Sequence, residues 1–270
     1  MPTLTVHGAR VHYEDTGGSG APVLFAHGLL WSGRMFAPQL EALRAEHRCV
    51  AFDFRGQGQS EVTADGYDME TLTDDAAALI EALGLAPCHF VGLSMGGFVG
   101  LRLAAYRPSL LRSLTLIASA ADAEPRAHVP RYRALAAGIR AFGARPFVPR
   151  LMNVLFGESF LGDSSRVEER RARENELASV ETVGGFRATE GVLTRRAVTH
   201  LLPSIRVRTQ VLAGAEDRAV RPARGRATVD QIAGARFVEI PRAGHTTTLE
   251  NPRAVTAALR GFFAADREAR

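Results

Sequence analysis

Short apolar runs of strand character alternate along this chain with segments of helical periodicity. The runs of strand character cover residues 4–8, 10–15, 22–27, 48–54, 89–93, 111–119, 209–214 and 235–240. Segments with apolar residues at helical spacing separate them from the third run onward, at residues 34–46, 70–83, 95–107, 221–233 and 251–264. Apolar strands that alternate with helices predict an α/β fold, with a mostly parallel sheet covered by helices on both faces.

Two parts of the chain depart from this alternation. The first two runs follow each other closely and predict an antiparallel hairpin at one edge of the sheet. Residues 122–205 show helices and loops without a convincing strand, so we expect a helical insertion there and a core domain made of residues 1–121 and 206–270. Inside the insertion, Ser165 lies three residues before Glu168, which predicts a capping box at the start of a charged helix.

Composition is that of an ordinary globular chain. The 270 residues are 46% apolar and 23% charged, and no segment approaches the ~18 uninterrupted apolar residues of a membrane span. The N-terminus alternates polar and apolar residues and lacks the basic and apolar regions of a secretory signal. We therefore expect a cytoplasmic protein with no membrane partner.

The basic residues exclude several kinds of chemistry. All 33 are arginine, so no lysine is available to form a Schiff base, to anchor pyridoxal phosphate or to serve a phosphate loop. The formal charge is only +4 and the arginines are interleaved with acids, which does not favour nucleic-acid binding. The two cysteines, Cys49 and Cys88, offer neither a disulfide framework nor metal-ligand spacing, and we expect buried reduced thiols.

One serine lies among glycines where a strand pattern changes to a helix pattern. The sequence G-L-S-M-G at residues 92–96 matches the G-x-S-x-G nucleophile elbow in its strand-turn-helix setting. Such a turn forces Ser94 into a strained conformation, and only small residues such as Gly92 and Gly96 fit beside it. The alternatives are a packing turn with an incidental serine or a nucleotide-binding loop, but this segment lacks G-x-G-x-x-G.

A serine nucleophile needs a base and a carboxylate that orients the base. His245 follows the last predicted strand and Asp217 follows the strand before it, so the order is Ser, Asp, His and all three residues lie at carboxyl ends of strands. Glu216 and Asp122 are alternative candidates for the acid. We favour Asp217.

Acyl transfer also needs donors for the oxyanion. The segment after the third predicted strand can supply the backbone N–H of Leu29, and the elbow can supply the N–H of Met95. We expect His27 to hold this loop in shape by hydrogen bonding and not to act as a base.

Together these motifs resemble the α/β-hydrolase superfamily over essentially the whole chain, and within it bacterial arylesterases and perhydrolases or 3-oxoadipate enol-lactonases. The resemblance implies an eight-stranded core, a helical cap after the sixth strand, a structural role for Asp53, and no metal or organic cofactor. The motifs are HGLLWSG (27–33), DFRGQGQS (53–60), GLSMGG (92–97), GAEDRAVRP (214–222) and AGHTTTLENP (243–252).

The sequence therefore predicts a serine hydrolase that acts on a small ester or lactone. We expect an apolar substrate pocket whose lining comprises Leu30, Trp31 and Phe98 from the core and Met152 and Phe156 from the cap. An apolar cap wall favours hydrophobic esters over anionic enol-lactones. Hydrolysis of an enol-lactone or a carbon-carbon bond in aromatic catabolism, and a slow-turnover ligand receptor, remain alternatives, and a homo-oligomer is possible.

Overall fold

One sheet runs through the centre of the structure, a computed structural model that describes residues 2–268. Its strands are β1 (Thr3–Val6), β2 (Ala9–Asp15), β3 (Val23–Ala26), β4 (Cys49–Phe52), β5 (Cys88–Leu93), β6 (Leu111–Ile117), β7 (Thr209–Gly214) and β8 (Arg236–Ile240). The strand order is β1-β2-β4-β3-β5-β6-β7-β8. All neighbours from β4 to β8 pair in parallel, which confirms the mostly parallel sheet.

The first two strands form the predicted hairpin at the sheet edge. Val6 pairs with Ala9, and β2 pairs antiparallel with β4. The two residues of the turn, His7 and Gly8, have φ values of 44° and 76°. Two successive positive φ values are typical of the tight turns whose twist matches a hairpin.

Helices cover both faces of the sheet. They are α1 (Ala37–Leu43), α2 (Met69–Ala82), α3 (Met95–Tyr106), α4 (Val129–Phe142), α5 (Val148–Leu155), α6 (Glu158–Gly162), α7 (Val167–Ala178), α8 (Thr182–Thr194), α9 (Pro222–Val229), α10 (Thr247–Glu250) and α11 (Pro252–Glu268). Residues of α2, α3 and α9 share one buried apolar cluster, and residues of α1 and α11 share another. The second cluster also contains apolar residues of α4 to α7.

The chain between β6 and β7 carries helices α4 to α8. The division into a core of residues 1–121 and 206–270 and a cap of residues 122–205 stays a prediction. The capping box predicted inside this segment is wrong. Ser165 lies in a short 3₁₀ turn before α7, and the carboxylate of Asp163 accepts the hydrogen bond of its amide.

Both cysteines are buried and unpaired, and burial raises the pKa of each thiol to about 12. They are the expected reduced thiols. Within residues 2–268, no helix combines the length and the apolar character needed to cross a membrane.

Candidate active site

Ser94 occupies a sharp turn between β5 and α3. Its φ of 51° and ψ of −109° are the strained backbone that the motif predicts. Glycine is required on both sides, because a Cβ at Gly92 would overlap the carbonyl group of Gly96, and a Cβ at Gly96 would overlap the carbonyl group of Ala26. Two hydrogen bonds fix the turn: the Ser94 amide donates to Ile117 O at 2.8 Å, and the Gly96 amide donates to His27 O at 3.1 Å. The hydroxyl thus lies beside the N-terminus of α3, which favours negative charge.

His245 and Asp217 form a buried pair at the ends of β8 and β7. The Nδ1 of His245 donates to Oδ2 of Asp217 at 2.9 Å. The other carboxylate oxygen, Oδ1, accepts the amides of Ala219 at 2.8 Å and Val220 at 2.9 Å. Because both oxygens are engaged, the carboxylate is fixed in orientation. Because an ionised carboxylate only accepts hydrogen bonds, this contact requires a proton on Nδ1 of the imidazole, which leaves Nε2 as the basic nitrogen of the neutral ring.

The two alternative acids have other partners. The carboxylate of Glu216 accepts the amide of Ser159 at 2.8 Å and its hydroxyl at 2.5 Å, and so contacts the start of α6. Asp122 forms an ion pair with Arg224 at 2.8 Å. In this structure Asp217 is the acid whose carboxylate contacts His245.

Three carboxylates influence the protonation of His245. Burial would lower the pKa of this imidazole, but the neighbouring Asp217 and the more distant Glu250 and Glu124 raise it above its ordinary value. Glu250 is itself buried, and its carboxylate accepts the amides of Gly157 at 2.7 Å and Gly244 at 2.9 Å. It therefore joins the loop before His245 to the segment between α5 and α6.

The loop after β3 faces the serine. A Cβ added to Gly28 would lie 3.5 Å from Cβ of Ser94, so the backbone that leads to Leu29 passes beside the nucleophile elbow. Leu30 has a φ of 66°, and its amide donates to Oε1 of Gln57 at 2.7 Å. The hydrogen bonds found within residues 2–268 include no acceptor for the amides of Leu29 and Met95. Both amides are therefore available to a developing oxyanion.

His27 holds this loop, as its sequence position led us to expect. Its Nδ1 donates to the carbonyl oxygen of Gly28 at 2.7 Å, and its Nε2 accepts the amide of Phe54 at 2.9 Å. Burial lowers the pKa of the fully enclosed imidazole. Asp53 joins the segments that follow β3 and β4, since its carboxylate accepts the amides of Gly33 at 2.7 Å and Gln59 at 2.8 Å.

A cavity of about 130 Å³ borders both Ser94 and His245. Leu30, Trp31 and Phe98, three of the residues predicted for a substrate pocket, border this cavity from the core side. Three helices, α4, α5 and α8, supply much of the remaining wall, and the loops that carry Glu124, Ala219 and Val220 contribute to it as well. Most of the helix residues are apolar: Tyr132, Leu135, Ala136, Ile139, Leu151, Val154, Leu155, Gly185, Phe186, Thr189, Val192 and Leu193.

The structure does not bring Met152 and Phe156 into this wall. Both are buried in the apolar cluster behind it, where Phe156 stacks on Phe160 with a centroid distance of 4.7 Å and meets the edge of Trp31 at 6.1 Å. The reason is helical geometry: the cavity face of α5 includes Leu151 and the residues three and four positions later, so Met152 points away from it. Apolar composition identified the right helix but not the right face.

The contributions of α4 and α8 were missed, although the sequence contains a signal for them. The lining positions 132, 135, 136 and 139 of α4 and 185, 189, 192 and 193 of α8 repeat at helical spacing. Within residues 2–268, no group of three or more His, Cys, Asp or Glu side chains is arranged to hold a metal ion.

Comparisons with known proteins agree with this architecture. A model of the alpha/beta hydrolase fold family matches residues 21–252. A Mycobacterium tuberculosis (strain ATCC 25618 / H37Rv) protein named "Putative non-heme bromoperoxidase BpoC" is 33% identical, over 93% of this chain and 97% of its own length. The structure of a thermophilic esterase from Thermogutta terrifontis is 31% identical, with a TM-score of 0.89 over 98% of this chain and 97% of that one. That of the enol-lactonase from Burkholderia xenovorans LB400 is 29% identical, with a TM-score of 0.89 over 97% of this chain and 100% of that one.

Proposed function

Because this chain belongs to the α/β-hydrolase fold family, we propose that it is a serine hydrolase that cleaves carboxylic esters or lactones through an acyl-enzyme intermediate. The observation that carries the proposal is one apolar cavity bordered by both the strained Ser94 and the His245 that pairs with Asp217. The esterase and enol-lactonase structures that resemble this chain support the same reaction class.

In the first half of the reaction, Oγ of Ser94 attacks the carbonyl carbon while its proton passes to Nε2 of His245. The carbonyl π electrons move to the oxygen, which becomes an oxyanion between the amides of Leu29 and Met95. The intermediate collapses as the bond to the leaving group breaks, and His245 returns the proton to the departing oxygen. An acyl group is then left on Ser94.

In the second half, water attacks the acyl group and gives its proton to the same imidazole nitrogen. Collapse of this intermediate breaks the bond to Oγ of Ser94, and the proton from His245 restores the hydroxyl. Asp217 keeps the imidazole in the required tautomer and stabilises its positive charge while it carries the extra proton. The carboxylates that raise the pKa of His245 stabilise the same cationic state.

We assign the acyl-binding site to the cavity beside Ser94, with Leu30, Trp31 and Phe98 as core-side contacts. Helices α4, α5 and α8 supply the opposite wall, which fits the proposed assignment of residues 122–205 to a cap. An apolar cavity of this kind binds an acyl chain by removing its surface from water.

The test is steady-state hydrolysis of p-nitrophenyl esters of increasing acyl length, together with a small set of lactones. We expect rapid turnover, and a loss of several orders of magnitude in Ser94→Ala, as for triad serines elsewhere. Ser164→Ala removes an exposed hydroxyl from the cap and is the matched control, with unchanged turnover. Turnover of no ester or lactone, or more than a tenth of the activity retained by Ser94→Ala, would contradict the proposal.

A further inference from the structure

One carboxylate lies in the otherwise uncharged wall of the acyl cavity. Among the described residues that line it, Glu124 carries the only acidic side chain, and His245 is the only other ionisable group apart from the phenol of Tyr132. Glu124 lies on the loop between β6 and α4, and its side chain is 9% exposed. A carboxylate so poorly hydrated exerts a strong field across the cavity beside it.

Glu124 is held by two partners from other parts of the cap. Its Oε1 accepts from Nδ1 of His128 at 3.1 Å, and its Oε2 accepts from the Arg195 guanidinium at 3.1 Å. Arg195 is 1% exposed and lies 4.0 Å from the ring centroid of Phe98. A second nitrogen of Arg195 donates to the carbonyl oxygen of Val192 at 2.7 Å.

The positions of the two charges relative to the cavity differ. Glu124 and Phe98 line the cavity, whereas Arg195 lies behind them and does not. A ligand in the cavity therefore meets the carboxylate of the ion pair, whereas the cation is farther away, covered by the ring of Phe98. The field of Glu124 also reaches the reacting end of the site, since this carboxylate contributes to the raised pKa of His245.

We propose that Glu124 determines specificity by excluding acyl groups that carry a carboxylate, so that esters with neutral acyl groups are the substrate class. This inference rests on the proposed function. A carboxylate on the acyl chain would lose its hydration in an apolar cavity and would face a like charge. Among the described residues that line the cavity there is no arginine to pair with it. A neutral chain of the same length pays neither cost.

Two substrates of equal chain length isolate this effect. p-Nitrophenyl valerate has a neutral acyl chain, and the mono-p-nitrophenyl ester of glutaric acid has the same five carbons with a terminal carboxylate. We expect kcat/KM of the natural chain to favour the neutral ester by roughly 100-fold, because like charges that face each other in a binding site are strongly unfavourable. In Glu124→Gln the amide keeps the contact with Arg195 but leaves the charge of Arg195 uncompensated. The ratio of kcat/KM for the neutral ester to kcat/KM for the anionic ester should then fall by about tenfold or more.

Glu190→Gln is the matched control. Glu190 lies on α8 and forms an ion pair with Arg133 at 2.8 Å, so its substitution changes the net charge equally without altering the cavity wall. The ratio of the two kcat/KM values should stay within about twofold of that of the natural chain, since charges remote from the site are screened.

A second variant protects the test against a folding defect in Glu124→Gln. Replacing both Glu124 and Arg195 by leucine removes a buried ion pair as a unit, which is often neutral for stability. Its ratio should lie between those of the natural chain and Glu124→Gln. A ratio near one in the natural chain, or a high ratio unchanged in the variants at position 124, would overturn the inference while leaving ester hydrolysis intact. If the natural chain shows no Ser94-dependent turnover of these two esters, of the longer ester series or of the lactones, the proposed function is refuted and the inference with it.

Discussion

Replacing Asp217 by asparagine changes one oxygen to an amide nitrogen and keeps the shape of the side chain. Oδ1 of Asp217 accepts two backbone amides, from Ala219 and Val220, so the carbonyl oxygen of the asparagine must take that place. The new NH₂ group then faces Nδ1 of His245, where the carboxylate oxygen lay at 2.9 Å. Two donors cannot share a hydrogen bond, so the imidazole must turn to the tautomer with its proton on Nε2.

This tautomer has no basic nitrogen for Ser94, and the variant also lacks the charge that stabilises the imidazolium. The loss of kcat expected for such a change is about 10⁴-fold. Four factors of ten at about 1.36 kcal/mol each raise the activation barrier by about 5.4 kcal/mol. The free energy of unfolding should change by far less than this activation barrier, because the backbone contacts of residue 217 are retained.

The assay is kcat for the best p-nitrophenyl ester, with the thermal midpoint measured in parallel. Glu216→Gln is the matched control, since it alters the adjacent acid, which contacts Ser159 rather than His245. Its kcat should stay within about tenfold of that of the natural chain. If Asp217→Asn retains more than a tenth of the activity, or if Glu216→Gln is the variant that loses it, the assignment of Asp217 is wrong.

Two further substitutions test the surroundings of the site. Phe156→Ala should lower the free energy of unfolding by about 3–5 kcal/mol, because Phe156 is buried behind the cavity wall, and should leave acyl-length preference unchanged. Thermal melts measure the destabilisation, with Phe142→Ala as the control because that ring is 77% exposed. An altered length preference without destabilisation would contradict the placement of Phe156. Glu250→Gln keeps hydrogen-bonding groups for its neighbours but removes a charge that raises the pKa of His245. In a profile of kcat/KM against pH, the rising limb reports the neutral imidazole and should therefore move to lower pH. A limb that stays in place or moves to higher pH would refute the influence of Glu250 on His245.

The nucleophile elbow was readable from sequence because its physics is local. The close approach that requires Gly92 is to Gly96, within the turn itself, whereas Gly96 is required by its approach to Ala26 on the adjacent strand β3. Strand-helix alternation likewise gave the sheet and the helices on both faces. The placement of Met152 was less accessible, because an apolar residue on a helix between two apolar surfaces can face either one.

The features that depend on long-range contacts could not be predicted. Glu124 and Arg195 are 71 residues apart, and nothing local indicates that they form an ion pair with one member in the cavity wall. The same holds for Glu250, which contacts Gly157 across 93 residues. These contacts exist only once the segment between β6 and β7 packs over the carboxyl ends of the strands.

The most direct test of the central claim is the intact mass of the protein, quenched in acid during turnover of a p-nitrophenyl ester. We expect a species heavier by one acyl group, with the adduct on the peptide that contains Ser94, and no such species in Ser94→Ala. Rapid turnover with an adduct on another residue, or equal labelling of Ser94→Ala, would contradict an acyl-enzyme on Ser94.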